Sequence, residues 1–230
     1  MRYAAGDPAG DGTGGRAEVG PRRRGEIIRA AAVVLGRQGC ADTSMKEIAR
    51  EAGVAPGLLH YYFESKDELL GAVVGELDRQ MSETWTSALE GIDDPLERIV
   101  AALDAAAGQC ARNPAVWRAL VDLSLLGLST PAIQARCQEF RRRFAAGIEV
   151  EVRQALGRLP AYTLVPPRDL AGVIAAAIEG AAMAALVEGH DTTSYFQALT
   201  VMVLSLVVTA YVTAGQAPPV ARLAQLLRPR

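Results

Sequence analysis

The fold is decided by residues 43–70, which read TSMKEIAREAGVAPGLLHYYFESKDELL. Ser44 and Glu47 can form a capping box, in which the serine hydroxyl accepts the Glu47 amide and the glutamate carboxylate accepts the Ser44 amide. This pattern predicts a helix that starts there and stops at Gly53, and Pro56 can occupy the first turn of a second short helix. Two short helices joined by a tight, glycine-containing corner predict a helix-turn-helix.

Sequence on either side of this stretch predicts two longer helices. Upstream, apolar residues recur at three- and four-residue spacing over residues 22–38, and Gly39 can end that helix. Downstream, Ser65 and Glu68 repeat the capping pattern, and apolar residues then recur at steps of four toward Leu89. This last helix would have about 25 residues and a length of roughly 37 Å, enough to join two lobes.

Composition extends the helical prediction to the whole chain. Half of the 230 residues are hydrophobic but only 5% are aromatic, which favours closely packed helices over sheets. Prolines stand where further helices could begin, with Asn113 and Thr130 as plausible caps. We expect helices near 95–110, 114–127, 131–157, 167–188 and 193–214, followed by a short amphipathic turn or two. The predicted fold class is all-α.

We divide the chain into three parts. Residues 1–21 are rich in glycine and almost free of apolar side chains, which predicts a disordered arm. Their formal G-x-G-x-x-G match at Gly10–Gly15 is interpreted as chance, because we expect no strand before it and no helix to open from its last glycine. Residues 22–66 form the predicted three-helix DNA-binding domain, and residues 67–230 the predicted helical effector-binding and dimerisation domain.

Positive charge is local. The chain carries a net charge of −2, which argues against coating nucleic acid by bulk electrostatics. Residues 22–66 nevertheless hold eight basic side chains against five acidic ones. Arg22 to Arg24 precede the first helix and suit either a phosphate or minor-groove arm or a solvated flank.

Spacing divides the second helix of the motif into an inner and an outer face. Leu59 and Phe63 should pack on the first helix together with Tyr62, whereas Leu58 lies at the border. The outward face can approach a duplex through glycine, the tyrosine hydroxyl and a lysine at a helix N-terminus. His60 suits a base edge, a phosphate or a surface position without a DNA role. The predicted DNA-binding residues are Ser44, Pro56, Gly57, Leu58, His60, Tyr61, Tyr62 and Lys66.

The quoted run from Thr43 to Leu70 resembles the signature of the tetracycline-repressor (TetR) family of transcription regulators. The resemblance covers roughly 45 residues and rests on two caps, the Ala-Gly-Val corner and the aromatic-Phe-x-Ser-Lys end. It implies a homodimer whose recognition helices address a palindromic operator on double-stranded DNA, with DNA contacts at seven of the residues above. His60 departs from the family's usual tyrosine, which leaves the contact at that position open.

The second half of the chain suits dimerisation and ligand binding. Residues 199–211 are apolar nearly all round, and residues 175–185 are rich in alanine, which lets another helix approach closely. The resemblance to the TetR family implies that the last two long helices of each subunit form a four-helix bundle across the dimer axis. The predicted interface residues are Ala177, Ala181, Ala184, Leu199, Val203, Leu206 and Ala210. Residues that could line an effector cavity are Trp85, Leu89, Leu103, Trp117, Leu120, Phe140, Phe144 and Met183, each of which could instead be plain core. Asp104 and Asp122 could orient a polar ligand or face water.

Other classes of protein fit less well. The two histidines are far apart and no catalytic motif has the right context, so we expect no enzyme activity and no cofactor. Three scattered cysteines fit free thiols, with no zinc or other metal site. The apolar run near residue 206 is well below the roughly 20 residues of a membrane span, and no secretory pattern is seen, so we expect a cytoplasmic protein. The predicted function is repression relieved by a small, largely apolar effector; the alternative is a helical carrier or scaffold dimer that has lost DNA binding.

Overall fold

The computed structural model describes residues 14–157, 165–189 and 193–227, and in these segments the chain forms helices and no strands. The all-α prediction is therefore confirmed. The helices are α1 (Gly14–Gln38), α2 (Met45–Glu51), α3 (Pro56–Tyr62), α4 (Lys66–Leu89), α5 (Pro95–Arg112), α6 (Pro114–Gly127), α7 (Pro131–Leu156), α8 (Pro167–Glu188), α9 (Thr193–Thr213) and α10 (Val220–Leu226).

The first helix starts earlier than predicted. Helix α1 begins at Gly14 rather than near Arg22, so the expectation of a disordered arm is wrong for residues 14–21. A helix does open at the last glycines of the Gly10–Gly15 match, whereas the residues before Gly14 lie outside the described part of the chain. Arg22 and Arg23 consequently lie on a helix, where both pair with Glu26, at 3.4 and 2.7 Å.

Side-chain caps define several of the helix starts. The Ser44 hydroxyl accepts the Glu47 amide at 3.2 Å, and the Glu47 carboxylate accepts the Ser44 amide at 2.9 Å, so the predicted capping box is present. Ser65 caps α4 in the same way, but the Glu68 carboxylate accepts the amide of Glu64 instead of that of Ser65. Donor and acceptor are three or four residues apart in each of these contacts. The contacts therefore depend only on sequence within one helical turn.

Two predicted caps have the expected position, and one further cap was not foreseen. Asn113 and Thr130 are the N-cap residues of α6 and α7, but their side chains make no capping hydrogen bond. Asp94 caps α5, where its carboxylate accepts the amides of Leu96 and Glu97. The other carboxylate oxygen of Asp94 accepts a hydrogen bond from Arg222 at 2.8 Å, which attaches α10 to the start of α5.

Buried apolar side chains form one continuous core from α1 to α10. At the N-terminal end, Ile27, Leu35, Ile48, Leu59 and Phe63 are fully buried and hold α1, α2 and α3 together. Helix α4 packs against α1, α5 and α7. It therefore spans both halves of the molecule, as its length predicts.

Candidate DNA interface and effector cavities

The corner of the helix-turn-helix is made by Gly53, whose φ of 63° lies in the left-handed region that favours glycine. The amide of Val54 donates to the Ala49 carbonyl at 3.0 Å, and this hydrogen bond ties the corner to the end of α2. Pro56 then begins α3, where its missing N–H costs no helical hydrogen bond. The corner thus fixes the direction of α3 relative to α2.

Helix α3 turns one face into the core and the other outward, as its spacing predicts. Leu59 and Phe63 are fully buried, and Tyr62 packs half-buried against the core. Leu58 is half-buried, which matches its predicted place at the border. Tyr61 is 79% exposed, so its ring and hydroxyl are free to meet a partner. The predicted DNA-contact residues that α3 presents to solvent are Pro56, Gly57, His60 and Tyr61.

The two predicted contacts at helix N-termini flank this surface. Ser44 is exposed, and its hydroxyl also donates to the Glu47 carboxylate at 2.8 Å. Hydrogen bonds from Ser44 lower the pKa of Glu47 below its usual 4.5. The Lys66 ammonium donates to the Cys40 carbonyl at 3.0 Å, which uses one of its three donors. Lys66 is therefore held beside the loop before α2, with donors left for an anion.

Arg24 connects α1 to this surface. Its guanidinium lies 4.7 Å from the centre of the Phe63 ring and 3.8 Å from the Glu68 carboxylate. A cation over an aromatic face is attracted by the ring's quadrupole. Arg24 therefore supports the end of α3 from the side of α1, a role that its place in the sequence does not reveal.

Helix α6 contacts the N-terminal helices directly, which the sequence did not predict. A Cβ at Gly36 would lie 2.7 Å from the Cβ of Ala115, so α1 and α6 touch without an intervening side chain. The Asp122 carboxylate accepts a hydrogen bond from the Cys40 amide at 3.2 Å. This aspartate therefore contacts the loop before α2 and does not simply face water. Burial, with the nearby charge of Asp122, raises the pKa of the Cys40 thiol to about 11, and all three cysteines are free and buried.

The largest cavity that joins the predicted pocket residues lies between α6, α7 and α8 and has a volume of about 380 Å³. Four of the eight predicted residues line it, namely Trp117, Leu120, Phe140 and Met183. Its wall also includes Glu179, a residue that no sequence pattern indicated. The indole N–H of Trp117 and one carboxylate oxygen of Glu179 are buried without a hydrogen-bond partner in the protein.

A second cavity of about 210 Å³ lies between α4 and α7. Trp85, Phe140 and Phe144 line it as a packed aromatic group, with the Phe140 and Phe144 rings stacked 5.9 Å apart. Asp78 lies at its edge and accepts a hydrogen bond from Arg143 at 3.1 Å. The predicted pocket residues thus divide between two sizeable cavities instead of sharing one.

Two other predicted residues line little space. Leu103 lines a cavity of about 20 Å³ together with Trp85, and Leu89 lines none of these cavities although it is buried. A separate cavity of about 160 Å³ lies between α5, α7, α8 and α9 and is walled by apolar residues such as Ile99, Val152 and Val207. Sequence periodicity did not reveal it, because its lining residues come from four helices.

Exposed apolar residues form one stripe on α8 and another on α9. Their alternating spacing of three and four residues is that of a helix packing seam. The α8 stripe consists of Val173, Ala176, Gly180, Met183 and Val187. The α9 stripe consists of Tyr195, Ala198, Met202 and Val212, with the polar Ser205 and Thr209 between the last two. Valine and methionine side chains here are strongly exposed, for example Val187 at 76% and Met202 at 64%.

Burial divides the predicted interface residues into two groups. Leu199, Val203 and Ala210 are buried in the subunit's own core, so they do not present a free surface. Ala177, Ala181 and Ala184 are half-buried beside the α8 stripe, and only Leu206 of the predicted set is exposed. Helix α9 is apolar all round, and periodicity therefore could not tell which side faces the core.

Helices α8 and α9 are also long and apolar enough to cross a membrane. This is weak evidence, because buried helices of soluble proteins pass the same test. Here α9 carries buried residues of the main core, such as Phe196 and Leu204, which pack against other helices of the chain.

Known regulatory proteins resemble the N-terminal part of this chain. Residues 27–73 match the family model described as bacterial regulatory proteins, tetR family. The chain is 39% identical over 103 residues to the HTH-type transcriptional regulator BetI of Brucella canis, covering 44% of this chain and 52% of that protein. It is 41% identical over 81 residues to BetI of Rhizobium meliloti, covering 35% and 40%. The chain thus spans about half the length of the curated relatives it matches.

Solved structures resemble the fold over a longer part of the chain. A TetR transcription regulator from Haloarcula marismortui matches with a TM-score of 0.69 and 21% identity, covering 82% of this chain and 98% of that one. A transcriptional regulator from Saccharomonospora viridis, solved in complex with choline, matches with a TM-score of 0.69 and 20% identity, covering 80% and 96%. At these identities the likeness concerns the fold alone.

The family match covers the N-terminal helices described above. It covers α2, α3 and the capped start of α4, the elements that form the corner and the exposed face. The match is to regulatory proteins, not to enzymes, which confirms the prediction that the chain is not an enzyme. Over residues 27–73, the chain is similar to the tetracycline-repressor (TetR) family of bacterial regulatory proteins.

Proposed function

We propose that the protein is a dimeric, cytoplasmic transcription repressor that a small, largely apolar effector releases from a palindromic operator. The observation that carries this proposal is the exposed face of α3, which lies directly opposite the fully buried Leu59 and Phe63. A carrier or scaffold does not need an exposed tyrosine and glycine on a helix whose opposite face is fully buried. Residues 22–66 act as the DNA-binding domain, and residues 67–230 bind the effector and the second subunit.

On DNA, α3 lies in the major groove as the second helix of a helix-turn-helix does. Gly57 allows the backbone to approach closely, and Tyr61 and Lys66 donate to phosphates on either side. Ser44, at the start of α2, hydrogen-bonds to the neighbouring phosphate. The contact surface is completed by Pro56, Leu58, His60 and Tyr62. The exposed face offers few Arg, Asn or Gln side chains for bidentate base contacts, so specificity depends on half-site spacing as well.

A second copy of the chain covers the stripes on α8 and α9. Two apolar stripes with a packing-seam spacing meet their equivalents across a two-fold axis as a four-helix bundle. Exposed apolar patches of this kind mark interaction sites on soluble proteins. The dimer then holds the two α3 helices one helical turn of DNA apart, at about 34 Å.

The effector acts through α6. This helix lines the 380 Å³ cavity with Trp117 and Leu120, and it also bonds the loop before α2 through Asp122 and packs on α1 through Ala115. A shift of α6 on effector binding therefore moves the DNA-binding domain relative to the dimer bundle. Because the cavity's wall is mainly apolar, the effector is a small molecule with an apolar body.

The proposal is tested with DNA selected from a random pool by the purified protein. We expect a palindrome to be enriched, and Tyr61→Ala to weaken its binding by at least tenfold. Leu128→Ala is the matched control, because Leu128 is 77% exposed at the end of α6, away from α3. No enrichment of a palindrome, or equal binding by the two variants, would favour the carrier or scaffold instead. Sedimentation of the same samples distinguishes a dimer from a monomer or an aggregate.

A further inference from the structure

The cavity between α6, α7 and α8 has the size and wall of a small-molecule site. Its volume is about 380 Å³, and ligand cavities in proteins start at about 300 Å³. Leu120 and Leu125 from α6, Phe140 from α7 and Met183 from α8 give it an apolar lining. Such a wall suits the apolar body of a ligand but does not say what its polar part is.

Two residues of this wall carry a buried polar atom without a partner. Trp117 is only 3% exposed, and its indole N–H has no hydrogen-bond partner in the protein. The same holds for the Oε1 atom of Glu179. Among the residues that the structure describes, these are the two buried side-chain polar atoms without a partner, and both residues line this one cavity. Since buried polar atoms without partners cost folding free energy, their coincidence points to a ligand that pairs with both.

The smaller neighbouring cavity is too small for a ligand. Trp117 also lines a space of about 20 Å³ beside Trp85 and Gln109. A space of this size holds a water molecule and nothing larger. A ligand group that accepts the indole N–H must therefore enter from the cavity between α6, α7 and α8.

The charges at the site specify the ligand further. The other oxygen of Glu179 forms an ion pair with Arg141, so the negative charge of this carboxylate is already balanced. The indole carries no charge. What the two atoms lack is one hydrogen-bond donor, for Glu179 Oε1, and one acceptor, for the Trp117 N–H. A further positive charge is not required.

We infer that this cavity binds a neutral molecule with an apolar body and a head group that offers both a donor and an acceptor, as a primary carboxamide does. This inference rests on the proposed function and names the chemistry of its effector. The head group joins Trp117 on α6 to Glu179 on α8. It lies beside Ala176 and Gly180 of the exposed α8 stripe, so it contacts both the helix that bonds the DNA-binding domain and the proposed dimer face.

The test uses the full-length protein and three probes with similar apolar tails, measured by ligand-observed NMR. Hexanamide has the donor and the acceptor, 2-heptanone has the acceptor alone, and hexylammonium has donors with a positive charge. We expect hexanamide to bind about tenfold more tightly than either of the others, since one or two buried hydrogen bonds correspond to about this factor. Equal affinities for hexanamide and 2-heptanone would overturn the inference.

Variants locate the effect. Trp117→Phe keeps the ring but removes the N–H, and it should abolish the preference for hexanamide; Glu179→Leu should do the same. Trp85→Phe is the matched control, because Trp85 lines the other cavities and not this one, and it should keep the preference. A preference that survives both Trp117→Phe and Glu179→Leu would overturn the assignment of the site.

Failure of the inference and failure of the proposed function give different results. If operator binding is intact and hexanamide shows no preference, the head-group inference is wrong while the DNA-binding function stands. If hexanamide binds with the expected preference but operator affinity is unchanged at saturation, the site is correct and the effector-responsive function is wrong.

Discussion

The contact between α1 and α6 supports a quantitative prediction about Gly36→Ala. The added methyl would lie 2.7 Å from the Ala115 Cβ and 2.9 Å from its carbonyl oxygen, whereas carbon atoms in contact lie about 3.5–4.0 Å apart. The two helices must therefore separate by roughly 1 Å. Overpacking of this kind costs about 1–3 kcal/mol, and the better helix propensity of alanine returns about 0.5–1 kcal/mol. The net cost is about 0–2.5 kcal/mol, and we expect Tm to fall by up to about 10 °C, since each kcal/mol shifts it by about 2–4 °C in a chain of this size.

A matched substitution separates the contact from the backbone effect. Gly75 lies inside α4, is exposed, and has no neighbouring atom within 4 Å of the position that an alanine methyl would take. Gly75→Ala should therefore raise Tm by about 1–4 °C. Thermal unfolding followed by circular dichroism measures both. A Gly36→Ala variant that is as stable as Gly75→Ala would refute the close contact between α1 and α6.

Three further predictions concern DNA binding, pH and assembly. Lys66→Ala should weaken binding about equally on all DNA sequences and lower the slope of log affinity against log salt by about one, as salt titrations would measure. Because hydrogen bonds from Ser44 lower the pKa of Glu47 below 4.5, its capping box stabilises the fold above that pH and loses this effect as pH falls through the lowered pKa. The Tm difference between wild type and Glu47→Ala should accordingly shrink between neutral pH and about pH 3; a constant difference would contradict it. Met202→Arg places a charge on the exposed α9 stripe and should yield a folded monomer by sedimentation, whereas an unchanged dimer would reject this face.

Local chemistry explains why the helix-turn-helix was predictable. The Ser44 and Glu47 box and the Pro56 start each depend on residues within one turn. The burial of Leu59 and Phe63 follows from helical periodicity once the direction of α3 is known. The start of α1 was not predictable in this way, since glycine-rich sequence lacks the apolar spacing on which the prediction relied.

The second half of the chain was less predictable because packing between distant helices decides it. Every side of α9 is apolar, so Leu199 and Met202 looked alike in sequence although one is core and the other is exposed. Glu179 reaches the cavity only because α8 packs on α7 beside α6. The contact of Asp122 with the Cys40 amide joins residues 82 positions apart, and no local pattern marks such a pair.

Under the proposed function, these contacts give the distant half of the chain a part in DNA recognition. The exposed face of α3 is small and poor in bidentate base readers, and we therefore propose that the spacing between two such faces contributes to specificity. Helix α4 spans both halves, and α6 adds a second connection through Asp122 and Ala115. We therefore expect effector binding to change operator affinity mainly through the distance between the two α3 helices.

Footprinting of the purified protein on the DNA beside its own gene tests the central claim most directly. We expect protection of one palindrome at moderate salt, with two half-sites whose centres are about one helical turn, or about 34 Å, apart. Tyr61→Ala should lose this protection, whereas Leu128→Ala should keep it. Absence of any protected palindrome at moderate salt would contradict the assignment of the α3 surface as a DNA-reading element.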